Sequence, residues 1–347
     1  MAARDIIVIG ASSGGVHALR EILANLPADL GAAVFIVQHQ SPVSGLLCRV
    51  LDSATKLPVI AVDGQQKVHP GRVYVATPDV HMVVAEDDVL ATRGARENRA
   101  RPSINVLFRT AAADYGSRVI GVLLTGLLDD GVAGLEAIKR CGGLVIVQDP
   151  DDAEFAQLPQ HALDAVAADH VLPLVEIAKH LQQLVGQPAP SVAVPDDIAI
   201  EARLVDPRRS SAHDLNRIGE KVAFACPECG GPMWRMNHGN ATHFRCHTGH
   251  ALSARTLLDS QAEEIEQSLW VAVRALTERA GTLEKLADRA RGLASADGFR
   301  ERAAEATGHA EQARQFLLSL RMTRPPDDSL NRPSDDDDPN TLSGDEK

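Results

Sequence analysis

The N-terminal stretch Asp5-Ile6-Ile7-Val8-Ile9-Gly10-Ala11-Ser12-Ser13-Gly14-Gly15 runs directly into an amphipathic helix pattern at Val16–Leu26. Residues Ile6–Ile9 are apolar at consecutive positions, so both faces of the predicted strand must be covered. This is typical of a parallel sheet that lies between helices. The glycine-rich turn after the strand leaves Ser12 between strand and helix.

Similar apolar runs recur through the first 186 residues. The runs lie at 33–38, 58–62, 73–76, 119–125 and 144–148, and helix patterns lie at 45–55, 103–115 and 132–141. We therefore predict an α/β fold, a three-layer sandwich around a mostly parallel, doubly wound sheet, for residues 1–186. Residues 81–90 alternate between apolar and polar side chains, which indicates a hairpin near one edge of the sheet.

The rest of the chain divides by composition. Closely spaced prolines predict a linker over 187–221, and a cysteine- and histidine-rich module follows at 222–252. Apolar residues at heptad spacing, among them Ile265, Leu283 and Leu286, predict a C-terminal helical hairpin over 253–322. Two helices packed on the main domain are the alternative. Residues 323–347 are acidic and predict a disordered tail.

Charge and hydropathy exclude several classes of protein. The net charge of −12 over 347 residues offers no basic surface for nucleic acid. No apolar run reaches the roughly 18 residues that a membrane helix needs, so we expect no membrane insertion. The N-terminus lacks the pattern of a signal peptide, which favours a cytoplasmic protein.

The loop around Ser12 fits two kinds of site. The pattern Gly10-x-Ser12-x-Gly14 is that of a nucleophile elbow, but glycine-rich turns also bind the phosphates of dinucleotides. A dinucleotide site needs an acid at the end of the second strand, where this chain has His39. A loop after a later strand supplies Asp129 and Asp130, either of which could orient a histidine base.

These loops resemble those of the chemotaxis protein-glutamate methylesterase family. The resemblance spans about residues 4–186 and rests on six segments in order: Ile9–Gly15, Val37–Gln40, Pro70–Ala76, Arg101–Phe108, Leu124–Gly131 and Leu158–Ala162. It implies that Ser12 is the nucleophile, His39 the base and Asp130, rather than Asp129, the orienting acid. It also implies that the oxyanion donors are backbone groups near Ser13 and Leu127. Many relatives have methionine at position 127 and glycine at position 128, where this chain has Leu127 and Leu128.

The resemblance implies a function as well. The expected reaction is hydrolysis of glutamate γ-methyl esters, with glutamine deamidation as a side activity, on methyl-accepting receptors in chemotaxis or related signal transduction. No cofactor is expected for catalysis. Relatives usually carry a receiver domain before the catalytic one, whereas this chain starts at its first catalytic strand. We therefore expect no phosphorylation within this chain, so that control comes from elsewhere or is absent. A separate receiver domain or a methyltransferase is a further candidate partner. The alternative is an esterase-like docking module in a sensory complex.

The cysteine-rich module has the spacing of a metal site. Cys226 and Cys229 form a Cys-x₂-Cys knuckle, and Cys246 follows with two histidines, His247 and His250. Four such ligands complete a tetrahedral site, so we predict a structural zinc in a zinc-ribbon-like module. His250 is favoured over His247 as the fourth ligand because Cys-x₃-His leaves room for a turn.

Overall fold

A computed structural model describes residues 2–39, 46–206, 212–236, 239 and 241–323, with side chains described up to residue 320. The chain forms two compact units, residues 1–260 and residues 261–347. Among the described residues, no helix is both long enough and apolar enough to cross a bilayer.

The strands and helices follow the predicted alternation through the first part of the chain. The strands are β1 Ile6–Ala11, β2 Ala33–Gln38, β3 Val59–Val62, β4 Gln65–Lys67, β5 Val73–Ala76, β6 His81–Ala85, β7 Asp88–Thr92, β8 Val119–Leu123, β9 Leu144–Gln148, β10 His170–Leu172, β11 Gly219–Ala225, β12 Pro232–Met236, β13 His243–Cys246 and β14 Ala251–Ser253. The α-helices are α1 Gly15–Ala24, α2 Leu47–Asp52, α3 Ile104–Tyr115, α4 Val132–Arg140, α5 Gln157–Ala165, α6 Leu174–Leu184, α7 Asp196–Arg203, α8 Ala212–Ile218, α9 Ala254–Arg289 and α10 Ser295–Thr323, with a 3₁₀ turn at Gly116–Arg118.

The main sheet confirms the predicted α/β sandwich. Its order is β10-β9-β8-β1-β2-β5-β3, and each neighbouring pair is parallel. Alternate residues of β1 enter different cores: Ile6 and Val8 pack on one face, and Ile7 and Ile9 on the other. Each such buried side chain stabilises the fold by about 1.5–3 kcal/mol. Because β1 lies between β2 and β8, the carboxyl ends of these three strands meet at one edge of the sheet.

The hairpin expected at residues 81–90 is present as β6 and β7. Its strands lie outside the main sheet but next to β3, an edge strand of that sheet, and the hairpin was predicted near one edge. The two strands pair with β4 in a separate three-stranded sheet of order β4-β7-β6. The apolar side chains that produced the alternation, Met82, Val84 and Val89, pack into the core on one side of the main sheet.

The segment predicted as a linker is partly helical and contains α7 and α8. Helix α7 begins directly after Pro195, and Asp196 and Asp197 occupy its first turn, where carboxylates interact favourably with the helix dipole. It buries Ile198 and Ile200. This short helix was not predicted, because a proline directly before a helix cannot be distinguished in the sequence from a proline in a loop.

The C-terminal half contains a small sheet and two long helices. Strands β11-β12-β13-β14 form an antiparallel sheet in sequence order, and this sheet belongs to the first compact unit. Within the second unit, α9 buries Val273, Ala280 and Ala287, whereas the predicted positions Ile265 and Leu286 are exposed. Leu283, another predicted position, is buried, so the predicted heptad positions of α9 are buried only in part. The predicted tail falls outside the described residues from position 324 onward.

Candidate active site

The loop after β1 is held by close packing of small residues. Gly14 has φ 75°, a left-handed conformation that favours glycine. A Cβ at Gly15 would lie 2.0 Å from Oε1 of Gln38. Nε2 of Gln38 donates a hydrogen bond to the carbonyl of Ser12 at 2.6 Å. The absence of side chains at these two glycines therefore lets Gln38, at the end of β2, approach Ser12 and bind its carbonyl.

The three side chains predicted as nucleophile, base and acid lie in contact. Oγ of Ser12 is 3.1 Å from Nδ1 of His39, and Nε2 of His39 is 2.8 Å from Oδ2 of Asp130. The backbone N–H of His39 donates to the carbonyl of Ala11 at 3.2 Å, which fixes the histidine beside the end of β1. Asp129, the other candidate acid, instead lies 3.5 Å from Oγ1 of Thr256.

Several donors orient the carboxylate of Asp130, which is only 2% exposed. The backbone N–H of Ile104 donates to Oδ2 at 2.7 Å, and the hydroxyl of Ser103 donates to Oδ1 at 2.8 Å. The amide of Asn98 and the backbone N–H of Asn105 approach Oδ1 at 3.4 Å. Sequence reasoning assigned no role to Ser103 or Asn98, although Ser103 lies in a segment that supported the resemblance.

One predicted oxyanion donor, Ser13, directly follows Ser12 in the chain, and the other, Leu127, directly follows Gly126. Within the described part of the chain, neither the N–H of Ser13 nor that of Leu127 donates to a protein acceptor. A Cβ at Gly126 would lie 2.8 Å from Cβ of Ser12, so the loop that carries Leu127 passes close to the serine. Leu128 has φ 63°, a left-handed conformation that favours glycine, so leucine stands here at a position whose backbone glycine would adopt more easily.

An open cleft of about 430 Å³ gives access to these groups. Its lining residues are Ser12, Ser13, Gly14, Gly15, Val16, His17, Gln38, His39 and Glu154. The side chain of His39 remains 25% exposed, which leaves the imidazole open to the cleft. A group bound in this space can therefore reach both the serine hydroxyl and its neighbouring histidine.

The cysteine-rich module brings four candidate ligands together. The Sγ atoms of Cys226, Cys229 and Cys246 and a ring nitrogen of His250 all lie within 4.8 Å of one another. Sγ of Cys229 is 3.8 Å from Sγ of Cys246, which is 3.6 Å from Nδ1 of His250. Tetrahedral zinc with Zn–S bonds of about 2.3 Å requires separations of about 3.8 Å between sulfurs and about 3.6 Å between sulfur and nitrogen. The donor set and its spacing therefore fit zinc, and His247 lies outside this group, against Gly231.

The first part of the chain is similar to a known family of proteins. The family model described as CheB methylesterase matches residues 7–181, which is half of the chain. The chain belongs to the CheB methylesterase family. The matched residues include Ser12, His39 and Asp130, whereas the Cys/His module lies beyond them.

Individual CheB relatives agree with the family match. A Leptospira interrogans protein named "Putative protein-glutamate methylesterase/protein-glutamine glutaminase" is 41% identical over 177 residues, which cover 50% of this chain and 92% of that protein. Protein-glutamate methylesterase/protein-glutamine glutaminase 2 of Methanosarcina acetivorans is 38% identical, over 53% of this chain and 54% of its own length. The crystal structure of the Thermotoga maritima CheB methylesterase catalytic domain is 33% identical with a TM-score of 0.50, and covers 53% of this chain and 100% of that chain.

In this CheB family member, a buried charge network joins the catalytic part to the Cys/His module. Arg245 of β13 is fully buried and donates to the carboxylates of Glu97 and Glu201. Glu97 also accepts from Arg109 of α3 at 2.5 Å, and Glu201 accepts from His243 at 2.8 Å. Burial alone would raise the pKa of Glu97, but the two arginines lower this pKa to about 2. The two arginines and the two glutamates of this network therefore carry opposite charges that neutralise one another.

Proposed function

We propose that this chain is a protein-glutamate methylesterase that uses Ser12, His39 and Asp130 as its catalytic triad. The observation that carries the proposal is the continuous contact from Ser12 Oγ through the His39 ring to Asp130 Oδ2, at 3.1 Å and 2.8 Å. Membership of the CheB methylesterase family supports the reaction class. The proposed substrates are glutamate γ-methyl esters of methyl-accepting receptor proteins.

The mechanism follows from the positions of these atoms. Ser12 Oγ attacks the ester carbonyl while Nδ1 of His39 accepts the hydroxyl proton. Asp130 stabilises the imidazolium through Nε2, and the N–H groups of Ser13 and Leu127 stabilise the oxyanion. The His39 proton then passes to the leaving methoxide, and methanol departs. Water attacks the acyl-serine with His39 again as base, which releases the glutamate carboxylate and restores Ser12.

The same site accounts for the glutaminase activity that the relatives' names carry. Attack of Ser12 on a glutamine side chain gives the same acyl-serine, with ammonia as the leaving group. Amides are poorer acyl donors than esters, because the nitrogen must be protonated as it leaves. We therefore propose deamidation as a slower second reaction of this one site.

A serine-directed fluorophosphonate probe tests the nucleophile. We expect the wild-type protein to be labelled and Ser12→Ala to remain unlabelled. Ser13→Ala is the matched control, since it removes the neighbouring hydroxyl and keeps the backbone N–H. Labelling of Ser12→Ala at the wild-type rate would contradict the assignment.

We also infer that Cys226, Cys229, Cys246 and His250 hold a structural zinc ion. Four protein ligands leave no open position, so the bound metal would supply stability rather than chemistry on the substrate. The hydroxyl of Thr248, 3.0 Å from Cys246 Sγ and 3.3 Å from Cys229 Sγ, supports the sulfurs from one side.

Elemental analysis of untagged protein tests this inference. We expect about one zinc per chain. Cys229→Ser removes a ligand that is exposed, and should lower the zinc content and the melting temperature. Cys48→Ser is the matched control, because Cys48 packs beside the main core and lies far from the cluster in sequence. Protein that contains almost no zinc when purified without chelator would contradict the inference.

A further inference from the structure

Residues next to two of the proposed zinc ligands hold the loop that precedes α3. Arg245, adjacent to Cys246, donates to Glu97. The carbonyl of Ala251, adjacent to His250, accepts the backbone N–H of Asn98 at 2.8 Å, and the N–H of Ala251 donates to the carbonyl of Arg96 at 3.3 Å. Residues 96–98 are therefore tied to β13, which ends at Cys246, and to Ala251, which begins β14 directly after His250.

Asn98 continues this connection to the proposed catalytic acid. Its Nδ2 donates to Oδ1 of Asp130 at 3.4 Å, and its Oδ1 accepts the N–H of Ser253, in β14, at 2.8 Å. Asn98 is 8% exposed and has φ 48°, a conformation that asparagine tolerates better than most residues. The side-chain amide is thus held at both ends, by the module on one side and by Asp130 on the other.

We propose that Asn98 is a positioning residue through which the folded Cys/His module sets the orientation of Asp130. The inference rests on the triad proposed above. Cys246 and His250 lie at the two ends of the β13–β14 turn, so metal binding fixes the spacing of the strands that contact Glu97 and Asn98. Loss of the metal frees this turn, and the loop that supports Asp130 loses its anchor. Turnover then depends on metal occupancy although the metal takes no part in the reaction.

The test compares two variants of Asn98 with a matched neighbour. Asn98→Gly keeps the backbone conformation and removes both side-chain hydrogen bonds. Asn98→Asp keeps an acceptor for Ser253 but places a carboxylate beside Asp130. Arg99→Gly is the control, since Arg99 has φ 62° and an exposed side chain. Methanol release from methylated receptor is measured for each protein as a function of substrate concentration and pH.

We expect Asn98→Gly to lower kcat by about tenfold with little change in KM, as for loss of a hydrogen bond to a charged group. Asn98→Asp should shift the acidic limb of the kcat/KM profile to higher pH, because the added negative charge favours protonated His39. Arg99→Gly should behave as wild type. Wild-type kcat in Asn98→Gly together with an unshifted profile in Asn98→Asp would overturn the proposal.

A second measurement follows the metal itself. A chelator removes zinc from the full-length protein, zinc release is quantified with a chromogenic reporter, and the rate of fluorophosphonate labelling at Ser12 is recorded alongside hydrogen exchange at residues 96–104. We expect zinc loss to slow labelling and raise exchange in the wild type, and to slow labelling much less in Asn98→Gly. Unchanged labelling and exchange after complete zinc release would overturn the coupling.

The two proposals fail in different ways. If Ser12→Ala is labelled and releases methanol like the wild type, the triad itself is wrong. If Ser12→Ala is inactive while both Asn98 variants match the wild type in rate and pH profile, the triad stands and only the positioning role of Asn98 fails.

Discussion

Oδ2 of Asp130 lies 2.8 Å from Nε2 of His39. Since a carboxylate accepts, this contact places the imidazole proton on Nε2 and leaves Nδ1 as the acceptor that faces Ser12. The serine proteases use the two ring nitrogens in the opposite order. The order of hydroxyl, imidazole and carboxylate is thus the same, but the two ring nitrogens exchange their partners. This follows because the histidine comes directly after a strand that neighbours the serine loop.

The acid can be tested by replacing it with its amide. Asp130→Asn should keep the shape of the site but present the wrong hydrogen-bonding partner to His39. We expect kcat to fall by about three to four orders of magnitude, as in the corresponding protease change. Asp129→Asn is the matched control and should retain activity within about threefold, since Asp129 contacts Thr256 rather than His39. Equal losses in the two variants would argue against Asp130.

The packing beneath Ser12 predicts a strong effect of one methyl group. Gly15→Ala would place Cβ 2.0 Å from Gln38 Oε1 and displace the side chain that supports the Ser12 carbonyl. We expect about 1–3 kcal/mol of destabilisation and a clear loss of kcat. Gly64→Ala is the control, because a Cβ there meets nothing within 4 Å. Thermal unfolding and methanol release measure both effects, and a fully active Gly15→Ala would contradict this packing.

The lowered pKa of the buried Glu97 predicts that acid decreases the stability of the protein. Burial raises its pKa, but Arg109 and Arg245 outweigh burial and lower this pKa to about 2 from an ordinary value of 4.5. Its contribution to the free energy of unfolding is therefore present above about pH 4.5 and is lost as the pH falls towards 2, by about 1.4 kcal/mol per pH unit at most. Urea unfolding across this range should show the loss. Glu97→Gln should abolish this part of the slope and destabilise the protein by about 3–5 kcal/mol, whereas the exposed Glu86→Gln should do neither.

The burial of His81 predicts a second dependence of stability on pH, in a range above that of Glu97. Its Nδ1 accepts the N–H of Ser103 and its Nε2 donates to the carbonyl of Ala95, so the ring is neutral in the fold. Burial lowers its pKa, opposed by Glu97. The unfolded chain therefore takes up a proton as the pH falls through about 6.5 while the folded chain resists, and stability decreases below that pH. His81→Asn should flatten the slope of unfolding free energy below about pH 6.5, and the exposed His69→Asn should leave it unchanged.

The sequence carried enough information to place Ser12, His39 and Asp130 together. Consecutive apolar residues in Ile6–Ile9 and Val119–Leu123 indicated parallel strands covered on both faces, and such strands gather functional residues at their carboxyl ends. His39 at the end of β2 distinguished a hydrolase from a dinucleotide site. The choice of Asp130 over Asp129 came from the resemblance, because both lie in the same loop and spacing alone favoured neither.

Other parts of the site could not be predicted from local patterns. Arg245 and Glu97 are separated by 148 positions, and single charged residues give no sign that they will be buried together. Asn98 has a left-handed backbone conformation, which a sequence usually indicates by a glycine at that position, and this position has none. Helix α7 was missed because eight residues between prolines are too few for a clear apolar period.

Methanol release from a receptor methylated by its methyltransferase tests the central claim most directly. Wild type, Ser12→Ala and His17→Ala are compared. His17 is the control, because it lines the same cleft but is not one of the three proposed triad residues. The triad predicts that wild type and His17→Ala release methanol while Ser12→Ala stays at background. Release by Ser12→Ala at the wild-type rate, or no release by the wild type, would contradict the account.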